Sequence, residues 1–576
     1  MRIDYIFKMR EKVFFDIRPF THSKLIMKNL RRFTLIALAI ITIPFVAFKY
    51  DDRYFEIAKN LDIFATMFKE LNAYYVDEIN PNRAMHTSIE SMLKQLDPYT
   101  VFWAEDEIED VMTSMAGKYN GIGATVSHRD NKHVVVMLYE GSPADKAGMK
   151  IGDEILKVDG VDVVTRKGID IGRLMKGQTG TTVKMSVKRF GQSSPLDLVV
   201  GRDIVKTLNV PHSGMINDEV GYIQLNDFTA TAAKEVKSAF NDLKGQGMKK
   251  LILDLRGNPG GLLNMSVEIC NAFLAKDLMI VETRGKVAEW NHKYTALETP
   301  LDTEMPIVAL INSQSASAAE IVSGTLQDYD RAVIIGQRSF GKGLVQTTRD
   351  LSYGTKMKIT TAKYYIPSGR CIQALDYSHR NADGSVGRVP DSLKTAFKTK
   401  NGRTVYDGGG VDPDIKTEVP TMAAITVNLL QKNVVFDYAT KYYFEHASQK
   451  PKEKFTLTEA EYQDFANWLK TKNFTYATPM ERNLDNLEAS AKKENSLDLL
   501  QEQLKSLRDK INQGKQQDLL KNKDDIKEQL ESEILSRYYY QKAMKFVAFE
   551  RDKEVQEALK LFKDLPRYNT ILKGGK

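Results

Sequence analysis

The chain has 576 residues, too many for one hydrophobic core, and a usual domain size of about 100 to 200 residues predicts several domains. Hydrophobic residues make up 42% and charged residues 27%, an ordinary globular composition, so the fold has to be read from pattern. The net charge of +7 is spread without basic low-complexity tracts and gives no reason to expect a nucleic-acid partner. Cys270 and Cys371 make neither a disulfide framework nor a ligand cluster, and no metal-ligand spacing or cofactor motif is present.

Residues 1–50 contain an apolar stretch from Phe33 to Phe48 that follows four basic residues, Lys24, Lys28, Arg31 and Arg32. A basic flank before an apolar segment predicts an exported chain, here in a bacterial cell envelope or periplasm. Sixteen residues are short for a membrane span, yet no A-x-A cleavage pattern follows. A signal peptide and a membrane anchor therefore both stay open, as does initiation at Met27, and a buried core helix is the remaining alternative.

Residues 51–110 are predicted to be helical, because apolar residues recur there at spacings of three and four. The turn at Leu96-Asp97-Pro98 divides the later part of this region. Homodimer formation through the helical ends of the chain is one role that we expect for it.

Residues 111–205 contain two glycine-rich blocks. Gly121-Ile122-Gly123-Ala124 precedes a predicted strand, and a longer block runs from Gly141 to Leu156. Together they resemble a PDZ domain, although the first block alone is also typical of a hairpin turn. The resemblance implies that backbone amides of Gly121, Ile122, Gly123 and Ala124 bind a peptide's terminal carboxylate while a strand edge accepts the peptide. Lys176 stands where relatives often have arginine.

Residues 206–420 read as an α/β core. Strands at Val220–Leu225 and Lys250–Asp254 flank a predicted helix, and a glycine-rich turn follows the second strand. Glycines between a strand and a helix leave backbone N–H groups uncovered, as an oxyanion hole requires. A tight turn that uses Gly260 and Gly261 only for geometry is the alternative.

Ser317 follows the buried strand Met305–Ile311 and a polar turn, at the start of a predicted helix. The unpaired N–H groups and positive dipole end of a helix N-terminus favour a developing oxyanion, so this is a suitable place for a nucleophile. On the Ser-Ala-Ser-Ala run alone, a serine that only caps a helix is the favoured interpretation, and only the lysine block at the right distance disfavours it.

Lys342 is the candidate base, since no histidine lies between His292 and His379. It follows a predicted buried strand at Val333–Gly336 and lies 25 residues after Ser317 (342 − 317), about the length of a helix, a loop and a strand. The lysine must be neutral to accept a proton, and burial can lower its usual pKa of about 10.4 by roughly 3 to 5 units. Gln346 is placed to orient the amine as a third member of the site.

The Ser-Ala-Ser-Ala-x-Glu and Phe-Gly-Lys-Gly-x-x-Gln blocks resemble the C-terminal processing peptidases, also called tail-specific proteases. The resemblance covers residues 55–420 and implies Ser317 as nucleophile, Lys342 as base and Gln346 as its partner. It also implies an oxyanion hole from Gly260 or Gly261 with the amide of Ala318. The implied fold is multidomain α/β: a crotonase- or ClpP-like peptidase core, an inserted PDZ domain and helical N- and C-terminal regions.

Residues 421–576 are predicted to form a helical region rich in lysine and glutamate, with an amphipathic hairpin or short coiled coil between Ala489 and Arg537. Dimerisation, substrate caging, adaptor binding and plain helical packing are all compatible with this pattern.

The sequence therefore predicts an exported serine endopeptidase whose PDZ domain recognises proteins and peptides with free apolar C-termini. A catalytically idle PDZ adaptor is the alternative, which the intact Ser317, Lys342 and Gln346 disfavour. A cytosolic tricorn-type peptidase would share the catalytic pair, but the N-terminal apolar segment and the lack of propeller repeats speak against it.

Overall fold

The computed structural model describes residues 53–165, 170–419, 421–451, 455–540 and 549–575. The predicted signal or anchor segment at 33–48 lies outside them. The chain divides into two compact units, one ending at Ser91 and one beginning at Met92. No helix in the described ranges combines the length and apolarity that a membrane crossing requires.

The first unit contains helix α1 (53–74) and most of α2 (Pro81–Lys94). After α2 come a short strand, β1 (Val101–Trp103), and α3 (Glu105–Met115). β1 lies in a region that the sequence predicts to be helical. The strand was missed because three residues are too few for an alternating pattern to be recognised.

The PDZ region is a β-sheet inserted into the chain through a pair of neighbouring strands. β2 (Lys118–Gly121) enters it and β9 (Asp203–Lys206) leaves it, paired antiparallel. Between them the sheet has the order β3-β4-β5-β7-β8, with β6 on β5. Its elements are β3 (Ala124–Arg129), β4 (Lys132–Leu138), α4 (Pro143–Lys146), β5 (Glu154–Val158), β6 (Val161–Asp162), α5 (Ile171–Met175), β7 (Thr182–Lys188) and β8 (Leu196–Gly201).

The central sheet has six strands in the order β10-β11-β12-β15-β16-β23, parallel except for β10. Three helices, α6, α7 and α8, cover one of its faces. Its four inner strands, β11, β12, β15 and β16, are buried on both faces, which explains their apolar runs. The elements are β10 (His212–Met215), β11 (Val220–Gln224), α6 (Ala232–Gly245), β12 (Lys250–Asp254), α7 (Leu263–Asn271), β15 (Ile307–Ile311), α8 (Ala318–Asp328), β16 (Ala332–Gly336) and β23 (Ile415–Lys416).

A second sheet has the strand order β1-β18-β13-β14, with β17 paired to β18. Two hairpins, β19 with β20 and β21 with β22, follow the strands of this sheet in the chain. The elements are β13 (Met279–Gly285), β14 (Lys293–Thr295), β17 (Leu344–Asp350), β18 (Lys356–Tyr365), β19 (Leu375–Arg380), β20 (Val386–Arg388), β21 (Ala396–Lys398) and β22 (Thr404–Tyr406).

The C-terminal region is helical and packs in two places. Most of it forms its own core with α9, α10, α11 and α15, whereas α16 and α17 cover the other face of the central sheet. Its helices are α9 (Ala424–Gln431), α10 (Val434–Glu445), α11 (Glu459–Lys470), α12 (Pro479–Lys493), α13 (Leu497–Gln516), α14 (Asp518–Lys521), α15 (Lys523–Tyr539), α16 (Lys553–Lys563) and α17 (Leu565–Leu572). The architecture confirms the predicted α/β fold class with a helical C-terminal region.

Candidate active site

Ser317 stands between β15 and α8 in a strained backbone conformation, with φ 54° and ψ −114°. Residues with a side chain rarely adopt this combination of φ and ψ, and backbone strain of this kind is concentrated at functional sites. The hydroxyl makes no capping hydrogen bond to the helix. It is therefore free for chemistry, unlike the side chain of a serine that only caps.

Glu320 connects the segment of Ser317 with the segment of Lys342. Its Oε2 accepts the backbone N–H groups of Ser317 at 2.8 Å and Lys342 at 2.9 Å. Its Oε1 accepts the N–H of Gly341 at 2.7 Å and the hydroxyl of Ser339 at 2.5 Å. Burial raises the pKa of this carboxyl to about 7, while the four hydrogen bonds act in the opposite direction.

The amine of Lys342 is sheltered and lies 4.1 Å from the centre of the Tyr99 ring. Burial is the largest cause that lowers its pKa, to about 8, and the charge of Lys358 adds to it, while Asp97 and Glu320 raise it. In the described part of the chain the amine makes no hydrogen bond with the Ser317 hydroxyl.

Tyr364 forms a second link between the two segments. Its hydroxyl lies 2.5 Å from the carbonyl oxygen of Lys342 and 3.1 Å from that of Ser317. The ring is buried, and burial raises the pKa of the hydroxyl well above its usual value, so it stays a neutral donor. Strand β18 thereby fixes both segments from one side.

Gln346 lies in the same site, but its side chain does not make the hydrogen bond to the Lys342 amine that its predicted orienting role requires. Its Nε2 donates to Thr360 Oγ1 at 3.1 Å, and within the described residues it makes no hydrogen bond with Lys342. The N–H of Thr360 in turn donates to Thr100 Oγ1 at 3.2 Å. Asp97 accepts the N–H groups of Tyr99 and Thr100, both at 2.8 Å, so this turn holds the Tyr99 ring under the lysine.

One cavity of about 460 Å³ is lined by Ser317, Ala318, Lys342, Gln346, Gly260 and Gly261. The N–H of Gly260 already donates to Asn258 Oδ1 at 2.8 Å. The N–H groups of Gly261 and Ala318 donate to no acceptor among the described residues. Of the predicted oxyanion donors, these two are thus available to a ligand in the cavity.

The predicted PDZ loop lies where β2 ends and β3 begins. Its carbonyl oxygens are occupied: that of Ile122 accepts the N–H of Ala144 at 2.8 Å, and that of Gly123 accepts the N–H of Tyr139 at 3.0 Å. Ala124 opens β3, the edge strand of the described PDZ sheet. An open strand edge is what peptide addition to a sheet requires.

Known families match three parts of the chain: Peptidase family S41 at residues 219–378, a PDZ domain at 134–189, and the C-terminal helical domain of a probable PDZ-protease at 425–562. A carboxy-terminal-processing protease of Bartonella bacilliformis is 36% identical over 321 residues, 55% of this chain and 73% of that one. The chain belongs to the carboxy-terminal-processing protease family. It is a serine peptidase with a PDZ domain.

Other carboxy-terminal-processing proteases are also similar. The carboxy-terminal processing protease CtpA of Bacillus subtilis is 33% identical over 309 residues, which cover 53% of this chain and 65% of that one. Among solved structures, a photosystem II D1 C-terminal processing protease shares 25% identity with a TM-score of 0.33, covering 62% of this chain and 92% of that one.

Sequence reasoning missed Glu320, Tyr364 and Tyr99 as parts of this carboxy-terminal-processing protease's site. Glu320 had a recognisable signal, since Ser317 and Glu320 have the serine-to-glutamate spacing of a capping box. Tyr364 and Tyr99 had none, because only the pairing of β18 and the turn before β1 bring them to the serine and the lysine.

Proposed function

We propose that this peptidase is an endopeptidase in which Ser317 is the nucleophile and Lys342 the general base. The observation that carries the proposal is the shared cavity, which brings together the serine, the sheltered amine and the two unoccupied N–H groups of Gly261 and Ala318. Family membership supports the same assignment.

In this mechanism the side chain of Lys342 rotates from Tyr99 towards the serine and takes the proton of Ser317 Oγ as the oxygen attacks a peptide carbonyl. The N–H groups of Gly261 and Ala318 stabilise the resulting oxyanion. The peptide C–N bond then breaks, and the leaving amine receives the proton from Lys342. A water molecule, deprotonated by the same lysine, hydrolyses the acyl-enzyme and restores the serine.

The substrates that we propose are proteins and peptides with free apolar C-terminal tails, bound by the Gly121–Ala124 loop and the edge of β3. Helix α3 supplies a route from the PDZ domain to the site. Asp110, in the middle of α3, forms an ion pair with Lys176 beside α5, with an Nζ to Oδ2 distance of 2.7 Å, and Met115, the last residue of α3, lines the cavity. Binding of a tail raises the local substrate concentration or opens the site.

Cleavage of an unstructured protein with an apolar C-terminal tail tests the catalytic pair. We expect Ser317→Ala and Lys342→Ala each to lower kcat by a factor of about 10³ or more, because each removes one member of a unit that acts together. The same protein with a C-terminal amide, which lacks the carboxylate, should be cleaved more slowly through a higher KM. Binding of a tail peptide by the inactive variants controls for folding, and cleavage that survives both substitutions would refute the pair.

We also propose that the peptidase works in the bacterial cell envelope. The support is the basic flank and apolar stretch at residues 33–48, whatever the choice between signal peptide and anchor. Fusing alkaline phosphatase, which is active only after export, behind residue 60 tests this. An active fusion is expected, and an inactive one would place the peptidase in the cytoplasm.

A further inference from the structure

The wall of the active-site cavity carries a second lysine, Lys358, which the proposed mechanism does not use. It lies on β18 with its side chain partly buried, and its register partners are Thr348 on β17 and Val101 on β1. In the described chain its side-chain amine forms neither an ion pair nor a hydrogen bond. Lys356, two residues earlier on the same strand, is ion-paired with Asp350.

Burial lowers the pKa of both Lys358 and Lys342, and two amines that share a partly dry cavity without counter-ions are costly when both are charged. The carboxylates near the two lysines are already engaged. Asp97 accepts two backbone N–H groups of its own turn, and Glu320 accepts four donors. Asp227, which also lines the cavity, accepts the N–H of Phe228 at 2.8 Å, and burial raises its pKa towards the neutral form.

We propose that Lys358 acts through Lys342, and that its positive charge in the shared cavity holds the Lys342 amine in the neutral, proton-accepting form. This rests on the proposed function of Lys342 as the base. A neighbouring cation is one of the established ways in which proteins activate a lysine, because two like charges in one poorly hydrated site disfavour each other.

The charges around Lys342 change its pKa in the direction that this proposal requires. After burial, the charge of Lys358 is the next cause that lowers the pKa of Lys342, while Asp97 and Glu320 raise it. The neutral rings of Tyr99 and Tyr364 complete the surroundings of Lys342, and their hydroxyl pKa values are both raised by burial. Lys358 is thus the neighbouring cation whose charge lowers the pKa of Lys342.

The test is the pH dependence of kcat/KM for a quenched fluorescent peptide, measured for the full chain and for Lys358→Met and Lys358→Gln. Removing the neighbouring charge makes protonation of Lys342 easier, which raises its pKa. The acid limb is the low-pH part of the profile, where kcat/KM rises with pH. In both variants we expect this limb to move to higher pH by about one unit, so that kcat/KM at low pH falls about tenfold and recovers at high pH. The limb reports the coupled pair of amines.

Two matched variants separate charge from shape. Lys358→Arg keeps the positive charge and should leave the acid limb in place. Lys363→Met removes a lysine of the same strand whose side chain is exposed and which does not line the cavity, and it too should leave the limb in place. The pH dependence of Ser317 labelling by a fluorophosphonate should show the same shift for Lys358→Met, because it needs no peptide substrate.

An unmoved acid limb in Lys358→Met and Lys358→Gln would overturn the inference. A pH-independent rise in KM in these variants would do the same, since it would make Lys358 a substrate contact instead. The proposed function fails separately: if Lys342→Ala retains activity with the limb of the unchanged protein, Lys342 is not the base. If Lys342→Ala is inactive while the Lys358 variants keep the limb, only the role of Lys358 is lost.

Discussion

The carboxylate of Glu320 holds the nucleophile and the base in one frame, since its Oε2 accepts the amides of both Ser317 and Lys342. No other described side chain accepts from both of these amides. The strained φ of Ser317 is maintained by this bond and by the contact of its carbonyl oxygen with Tyr364. Chemistry at the serine therefore depends on side chains that need not touch substrate.

Glu320→Gln should lower kcat about 100-fold with little change in KM, because a displacement of about 1 Å at a catalytic group has an effect of that size. The amide keeps the shape of the carboxylate but presents a donor to N–H groups that are themselves donors. Steady-state kinetics and the melting temperature measure the effect. The matched change at the exposed Glu298, Glu298→Gln, should leave kcat unchanged, and a wild-type kcat in Glu320→Gln would contradict the positioning role.

The pH profile of the unchanged peptidase follows from the lowered pKa of Lys342. Its amine is neutral only above a pKa of about 8, so kcat/KM should rise about tenfold per pH unit below pH 8 and level off above it. Initial rates from pH 5 to 10 measure this. A profile that falls between pH 7 and 9 would show that a protonated group drives catalysis.

At the scale of elements, the glycine-rich turn after β12 lies directly against the start of α8. A Cβ at Gly260 would lie 2.7 Å from Ser317 Cβ and 2.9 Å from Ala318 N, and the residue has φ +97°. This close approach puts the free N–H of Gly261 and that of Ala318 in the same cavity. Glycine is required here for backbone contact as well as for the turn.

Gly260→Ala should abolish measurable peptidase activity, because the added methyl group displaces Ser317 or the turn. Peptide binding by the PDZ domain, measured by fluorescence anisotropy, should be unchanged. Gly245→Ala is the matched control, since a Cβ there meets no atom within 4 Å. Full activity in Gly260→Ala would show that the turn adjusts without moving the serine.

At the scale of the whole molecule, the last two helices complete the peptidase core. Alternate residues of β15 point to opposite faces of the central sheet, Ile307, Ala309 and Ile311 towards α8, and Val308 and Leu310 towards α16 and α17. The ion pairs of Arg256 with Asp254 and Asp552 fasten α16 to the glycine-rich turn. The end of the chain therefore stabilises the sheet that carries the serine.

Phe562→Ala should lower the free energy of unfolding of the peptidase core by about 3 to 5 kcal/mol, because Phe562 is 2% exposed and fills the space between α16 and the sheet. Urea denaturation followed by tryptophan fluorescence and activity measures the loss. Leu565→Ala removes an exposed apolar side chain of α17 and should change stability by less than about 1 kcal/mol. Equal losses in both variants would contradict this packing.

Periodicity and turn residues were enough to predict β12, β15, β16 and α8 within a few residues, because a strand buried on both faces is continuously apolar and a helix on a sheet has a 3.6-residue period. They also placed Ser317 at the start of α8 and Lys342 after β16, since both positions depend on local turn chemistry. The hairpins between 375 and 406 were not predicted, because polar, partly exposed strands leave no apolar alternation.

The sequence by itself determined the family, the fold class and the elements around Ser317, because motifs and apolar periodicity are properties of neighbouring residues. Only the tertiary structure decided which side chains surround the serine and the lysine. Tyr364, Tyr99 and Lys358 reach the site through strand pairing and a turn far away in the chain, and α16 reaches the central sheet from the C-terminal part of the chain. Contacts of this kind depend on how separate elements pack, which no local pattern in the chain encodes.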